Sequence, residues 1–220
     1  MSPDPITHQQ QATALAIRLA VAKLTDRPDP SDTSDPSDLT DLTDRCARLG
    51  LPPPVSGKVH LPLLGRTLEL QPPAFEGVFT DTRKPPKPAD RLLALHYLTS
   101  DFPVSPENRW ITFREFPGGV FYWEPFRSRS VAPLIQAFGN DLEHLRARLA
   151  RFAATIEDGP ADTISARIMA VGRIDVLLVY RQGDDEFPPS ADLLFDGCAR
   201  RVYGAEDAAV LGGRVCFGLL

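Results

Sequence analysis

Thr163–Tyr180, TISARIMAVGRIDVLLVY, decides the fold. Its first half, TISARIMAV, alternates apolar and polar residues, the two-residue period of a strand with one face in a core. Its second half, IDVLLVY, is a near-continuous apolar run and reads as the central strand of a sheet. The rest of the chain is then read by what can pair with these strands or lie against them.

Upstream, Lys58–Leu70 (KVHLPLLGRTLEL) alternates on both sides of Gly65, the pattern of a β-hairpin, weakened by Pro62, which has no N–H for a ladder. A third short strand is expected over Gly77–Thr80. Helices are expected at Asp38–Leu49, stopping at Gly50, and at Lys87–Thr99, where Leu92, Leu93, Leu95 and Leu98 cover most of the circumference. Two more are expected at Val131–Phe138 and at Asp141–Ala154, separated by Gly139-Asn140 and with Asp141 as the second N-cap. A last short helix, Gly204–Leu211, precedes an apolar tail. Trp110–Phe126 holds seven of the eighteen aromatic residues around Pro117-Gly118-Gly119, interleaved with Arg114, Arg127 and Arg129. It reads as a second hairpin. The expected fold is α+β, a single domain with a mixed or antiparallel sheet and helices packed on it.

That domain is assigned to residues 38–220, preceded by an N-terminal helix within residues 1–25 and a linker over residues 26–37. The helix is expected to start from a cap at Thr7 and to pack through Ala12, Leu15, Leu19 and Ala22 on the domain or on a partner. The linker, rich in Asp, Pro and Ser, buries too little apolar surface to offset its ordering entropy and reads as flexible. It lacks the glycines and glutamate of a calcium loop.

Composition narrows the function classes. The chain has 220 residues, a length for one sizeable core. Its net charge of −5 is set by aspartates at every third position from Asp26 to Asp44, opposed by Arg27 and Arg45. A nucleic-acid binder would carry a basic footprint, so none is expected here. Cys46, Cys198 and Cys216 form no C-x-x-C pair, which argues against cysteine-built zinc or iron–sulfur sites and for a reducing, cytoplasmic setting. The start, SPDPITHQQQ, has no signal-peptide pattern, and Ala12–Leu24 is too short and too charged to span a membrane.

Candidate site residues fall in three places. His96 lies in an otherwise apolar helix, where an imidazole can act as a base, a metal or tetrapyrrole ligand, or a hydrogen-bonded core residue. Asp184, Asp185 and Glu186 follow the central strand, a place for magnesium, for acid–base work or for turn capping, with Phe187 expected to plug the core. Arg114 and Arg127, set beside Tyr122 and Trp123, are expected to form internal ion pairs with the acidic C-terminal half, which includes Asp192, Asp196, Glu206 and Asp207; the alternative is that these four residues grip an anionic ligand. Neither a G-x-S-x-G elbow nor a phosphate-cradling glycine loop is present, and no cofactor is named by the sequence.

LLALHYL at Leu92–Leu98, WITFREFPGG from Trp110, GDDEFPPSADLLFD at Gly183–Asp196 and the following YGAEDAAVL occur in an order and spacing that resemble the domain of unknown function family 3786, over roughly Asp38–Leu211. The resemblance implies a setting in anaerobic bacteria and archaea, near corrinoid, one-carbon or redox metabolism, because some members carry an iron–sulfur domain. This chain has none of that cluster's cysteines, so no iron–sulfur role carries over. The expected function is a binding or accessory module for a small molecule or a protein partner. The alternatives are a metal-dependent enzyme built on the acidic cluster and an interaction module that docks through its N-terminal helix.

Overall fold

The computed structural model describes residues 5–25, 37–157 and 159–220, with side chains from residue 9 in the first segment and from residue 41 in the second. The chain runs α1 (Pro5–Thr25), α2 (Ser37–Arg48), β1 (Val59–Leu63), β2 (Arg66–Gln71), β3 (Glu76–Phe79), α3 (Pro88–Leu98) and β4 (Trp110–Thr112). It continues through α4 (Gly119–Phe126), α5 (Ala132–Phe138), α6 (Leu142–Ala150), β5 (Thr155–Glu157), β6 (Thr163–Val171), β7 (Ile174–Arg181), β8 (Ser190–Asp196), α7 (Ala199–Val202) and α8 (Ala205–Leu219).

The strands form one sheet in the order β3-β2-β1-β6-β7-β8-β4, with β5 pairing β6 off this path. Every recorded pairing is antiparallel, which settles the sheet type. β6 and β7 pair along nearly their full length, and β7 then pairs β8, so IDVLLVY is an interior strand. The β1–β2 turn is Leu64-Gly65, both at positive φ (52° and 73°), the backbone a tight two-residue hairpin requires. Pro62 is tolerated in β1 because it serves as an acceptor, its carbonyl taking the Gly172 N–H at 2.8 Å.

The inner sheet face is apolar by strand alternation. Val59, Leu61 and Leu63 on β1, Ile164, Ile168 and Ala170 on β6, and Ile174, Val176, Leu178 and Tyr180 on β7 are all buried. The helices cover this face, with α3 antiparallel to α8. Asp90 meets Arg214 near one end of the pair, and His96 meets Asp207 near the other. α1 lies on α3. The outer face covers itself in part. The Arg167 guanidinium sits 5.3 Å from the Trp110 ring centroid, and Leu177, the register partner of Arg167, is buried on that side.

Four expectations are corrected. Trp110–Phe126 is not a hairpin. Only Trp110–Thr112 pairs, as an edge strand on β8, after which Thr112 and Glu115 form a capping box and the chain leaves the sheet. Gly118 then adopts the left-handed conformation (φ 81°) and α4 begins. The C-terminal helix does not stop at Leu211 but runs to Leu219 through Gly212-Gly213. A Cβ at Gly212 would lie 2.6 Å from the Phe126 ring, so Gly212 is there for close approach rather than as a stop. Phe187 is 67% exposed and plugs nothing. In α1 the face on the domain is Ile17, Ala20, Val21 and Leu24; the stripe Ala12, Leu15, Leu19 and Ala22 is exposed, so of its two expected supports the domain is excluded and the partner stands. Thr7 falls inside α1, which already includes Pro5. The linker read over residues 26–37 lies outside the described residues, except that Ser37 opens α2.

Candidate functional site

α4 follows a 3₁₀ turn, Phe113–Glu115, and buries only Gly119 and Phe126 of its own residues. Its inner side stacks. Phe126 lies flat on Phe113 (centroids 4.1 Å, 6° apart), and Phe116 meets Phe195 edge-on at 5.1 Å. Such contacts add to what area burial already contributes. The outer side carries three consecutive exposed apolar residues, Val120, Phe121 and Tyr122, with Phe121 87% exposed. Three successive positions sweep more than half of a helix turn, so a helix buried on one side only must leave some of them bare. Trp123, half-buried between the two sides, carries the Arg114 guanidinium 4.6 Å from its ring centroid.

A π-helical turn, Arg127–Val131, continues α4 directly into α5. It follows Pro125, whose missing N–H leaves the Phe121 carbonyl without its usual helical donor. Ser130 is buried in this turn and faces Gly213 of α8, while Arg127 and Arg129 point to solvent. Among the described residues neither arginine has an ion-pair partner, so the expected pairing with the acidic C-terminal half does not occur there. The acids of that half pair elsewhere, Asp192 with Arg181 at 2.8 Å and Asp207 with His96 at 2.9 Å. The surface of α4 and its π turn therefore joins a protruding apolar ridge to two uncommitted guanidiniums.

His96 sits on the one part of α3 that is not buried, and both carboxylate oxygens of Asp207 lie 2.9 Å from its Nδ1. Asp207 thereby fixes the ring, and Nε2 has no partner among the described residues. The dyad could move a proton or offer one nitrogen to a ligand. It also staples α3 to α8, as Asp90 and Arg214 do with a bidentate pair at 2.6 and 2.9 Å. Tyr203 adds a third tie, donating to the Leu93 carbonyl at 2.8 Å. Asp207 is legible in the sequence only as an acid in a helix's first turn; its pairing with a residue 111 positions away is not.

Asp184, Asp185 and Glu186 lie in the β7–β8 loop. Asp184 accepts the Phe187 and Glu186 N–H groups at 2.7 and 2.8 Å, and these two bonds hold its carboxyl below the usual range. Gly183 and Asn140 exchange two hydrogen bonds, tying the loop to the α5–α6 junction. Asp185 and Glu186 are exposed. Among the described residues no three His, Cys, Asp or Glu side chains gather into a metal-binding group. The eight candidate residues thus separate: Arg114 with Trp123, Tyr122 and Arg127 along the same helix, His96 with Asp207, and the acidic trio in its own loop. An open groove of about 520 Å³ lies elsewhere, between α1 and the α3 N-terminal turn, lined by Ile17, Arg18, Val21, Ala22, Ala74 and Arg91. Arg91 is committed there, donating to the Ala74 and Phe75 carbonyls at 2.7 and 3.2 Å.

The fold is thus an α+β domain with an antiparallel sheet covered by helices on one face, and no described helix is long and apolar enough to cross a membrane. The chain belongs to the family described as Domain of unknown function (DUF3786), which it matches over residues 41–217. The match takes in α4, the His96–Asp207 dyad and the β7–β8 loop; α1 precedes it. No curated protein and no solved structure matches the chain.

Proposed function

We propose that this domain is a non-catalytic binding module that engages a partner protein through α4 and the π turn after it. The observation that carries the reading is the outward row Val120, Phe121 and Tyr122 beside Arg127 and Arg129. Large exposed apolar residues are costly for solubility and mark contact surfaces. Aromatics with arginine are the residue types that dominate binding energy at protein interfaces. The complementary partner surface is an apolar pocket rimmed by carboxylates. The anaerobic setting of the family resemblance offers proteins of corrinoid, one-carbon or redox metabolism as candidate partners. Three buried, unpaired thiols support a reducing compartment such as the cytoplasm for this work.

Selecting a random displayed peptide library on the intact chain tests the proposal and requires no named partner. The expected peptides combine Leu or aromatic anchors with Asp or Glu, and Phe121→Ser with Tyr122→Ser weakens their binding by about tenfold or more. Peptides that bind the double variant as tightly as the parent chain would overturn the assignment of this surface.

A further inference from the structure

We infer that the exposed face of α1 is a self-association seam that pairs two copies of this chain through antiparallel helices. Ala12, Leu15, Leu19 and Ala22 follow one another at spacings of three, four and three, the a/d repeat of a coiled-coil seam. The structure makes this pattern a surface, because the opposite side of α1 is already spent on α3 through Ile17, Ala20, Val21 and Leu24. Leu15 and Leu19 are 56% and 63% exposed. Two apolar faces on one helix call for two partners, and the described residues supply one of them.

The order of residues names the second partner. Ala-Leu-Leu-Ala at spacings three, four and three reads the same in both directions. A two-fold axis opposite the level of Ile17 therefore sets Leu15 on Leu19 of the second copy and Ala12 on its Ala22, large on large and small on small. Such an isologous contact is what a two-fold dimer requires. Lys23 does not decide between parallel and antiparallel pairing, because Asp101 and the Thr99 carbonyl hold its ammonium at 3.1 and 3.0 Å. The antiparallel pair has one like-charge contact, Arg18 with Arg18 at the axis, and it opposes the helix macrodipoles. The two domains then lie on opposite sides of the helix pair, because each is held by the back of its own α1. Four layers fall short of the ~800 Å² per partner of a standard interface, so the dimer is weak and concentration-dependent.

Because α1 precedes the α4 surface and the family match, this seam and the binding reading above fail independently. Sedimentation equilibrium from about 20 µM to about 1 mM is expected to move the 24.2 kDa chain toward twice its mass. Leu15→Glu with Leu19→Glu, both at exposed positions, stays monomeric throughout and keeps its melting temperature. The register is tested by disulfide trapping: a mixture of Leu15→Cys and Leu19→Cys chains cross-links about tenfold more than either variant alone. The native thiols stay out of this reaction, since burial pushes Cys46 up to about 11 and Cys216 up to about 12. A monomer at the highest concentration, or Leu15→Cys cross-linking by itself as well as in the mixture, overturns the proposal.

Discussion

α3 and α4 are both apolar around most of their circumference, and only one of them ends up buried. In α3 the residues Leu93, Ala94, Leu95, Tyr97 and Leu98 are buried, because α1, α8 and the sheet close on it from different sides. α4 meets the 3₁₀ turn Phe113–Glu115, the π turn and α8 on its inner side and leaves Val120, Phe121 and Tyr122 in solvent. Local composition does not separate the two helices; the number of neighbours does. An apolar residue is a core residue only where the topology supplies something to bury it against.

The most severe test of this contrast lies within α4. Phe126→Ala removes a ring stacked at 4.1 Å on Phe113 and 3% exposed, so urea denaturation is expected to report a loss of about 3–5 kcal/mol. Phe121→Ala, five residues earlier and 87% exposed, is expected to change stability by less than about 0.5 kcal/mol. Equal losses would mean that the outer row is covered in solution and that α4 resembles α3 after all.

α3 is broken most sharply through its ion pair. Asp90→Asn leaves the half-buried Arg214 guanidinium without its carboxylate, and the expected loss is about 3 kcal/mol with the α3–α8 contact weakened. Amide exchange in α3 should quicken while α4 is unaffected. A uniform change across both helices would show that the pair stabilises the whole domain rather than this contact.

The smallest effects concern two aspartates on neighbouring strands whose environments differ as the helices' do. Asp196 is buried, which raises its pKa. The N–H groups of Cys198, Glu107 and Asn108, at 2.9, 2.9 and 3.0 Å, outweigh that and hold it below the usual range. Its stabilisation is therefore complete above about pH 4 and lost as pH falls through the lowered value. Asp196→Asn should cost about 2 kcal/mol at pH 7 and flatten the acid limb of a melting-temperature profile. Asp175 on β7 is raised by burial, with Arg167 opposing and Asp196 adding to the rise. Its charged form is the one the fold disfavours, so Asp175→Asn should raise the melting temperature slightly at pH 7. Below about pH 3, where both states hold the proton, the gain should vanish. A loss at pH 7 would show that the charge on Asp175 is used.

How much is legible follows the range of the interactions. The β1–β2 hairpin, β6, β7, the helix capped by Asp141 and the α3 helix are declared by short-range periodicity, turn residues and caps, and the structure has each of them. Trp110–Phe126 departs from the expected hairpin because its aromatic content favours strand, but a capping box at Thr112 and the left-handed Gly118 redirect the chain. The C-terminal helix outruns its expected end because glycine is a stop signal locally and a contact residue globally. Nothing in the sequence near His96 declares Asp207, nor does anything near Asp90 declare Arg214, since each pair spans more than a hundred residues.

By itself, then, the sequence determined the class of the fold, the β1–β2 hairpin, β6 and β7, most helix boundaries and the family motifs, all properties of a few neighbouring residues and their backbone preferences; it did not declare the interior strand β8. The tertiary structure alone decided which apolar helix faces are core and which are surface, and which charges find partners. Burial and ion pairing are set by what arrives from elsewhere in the chain, so the same apolar run becomes the wall of a core in α3 and an open surface in α4.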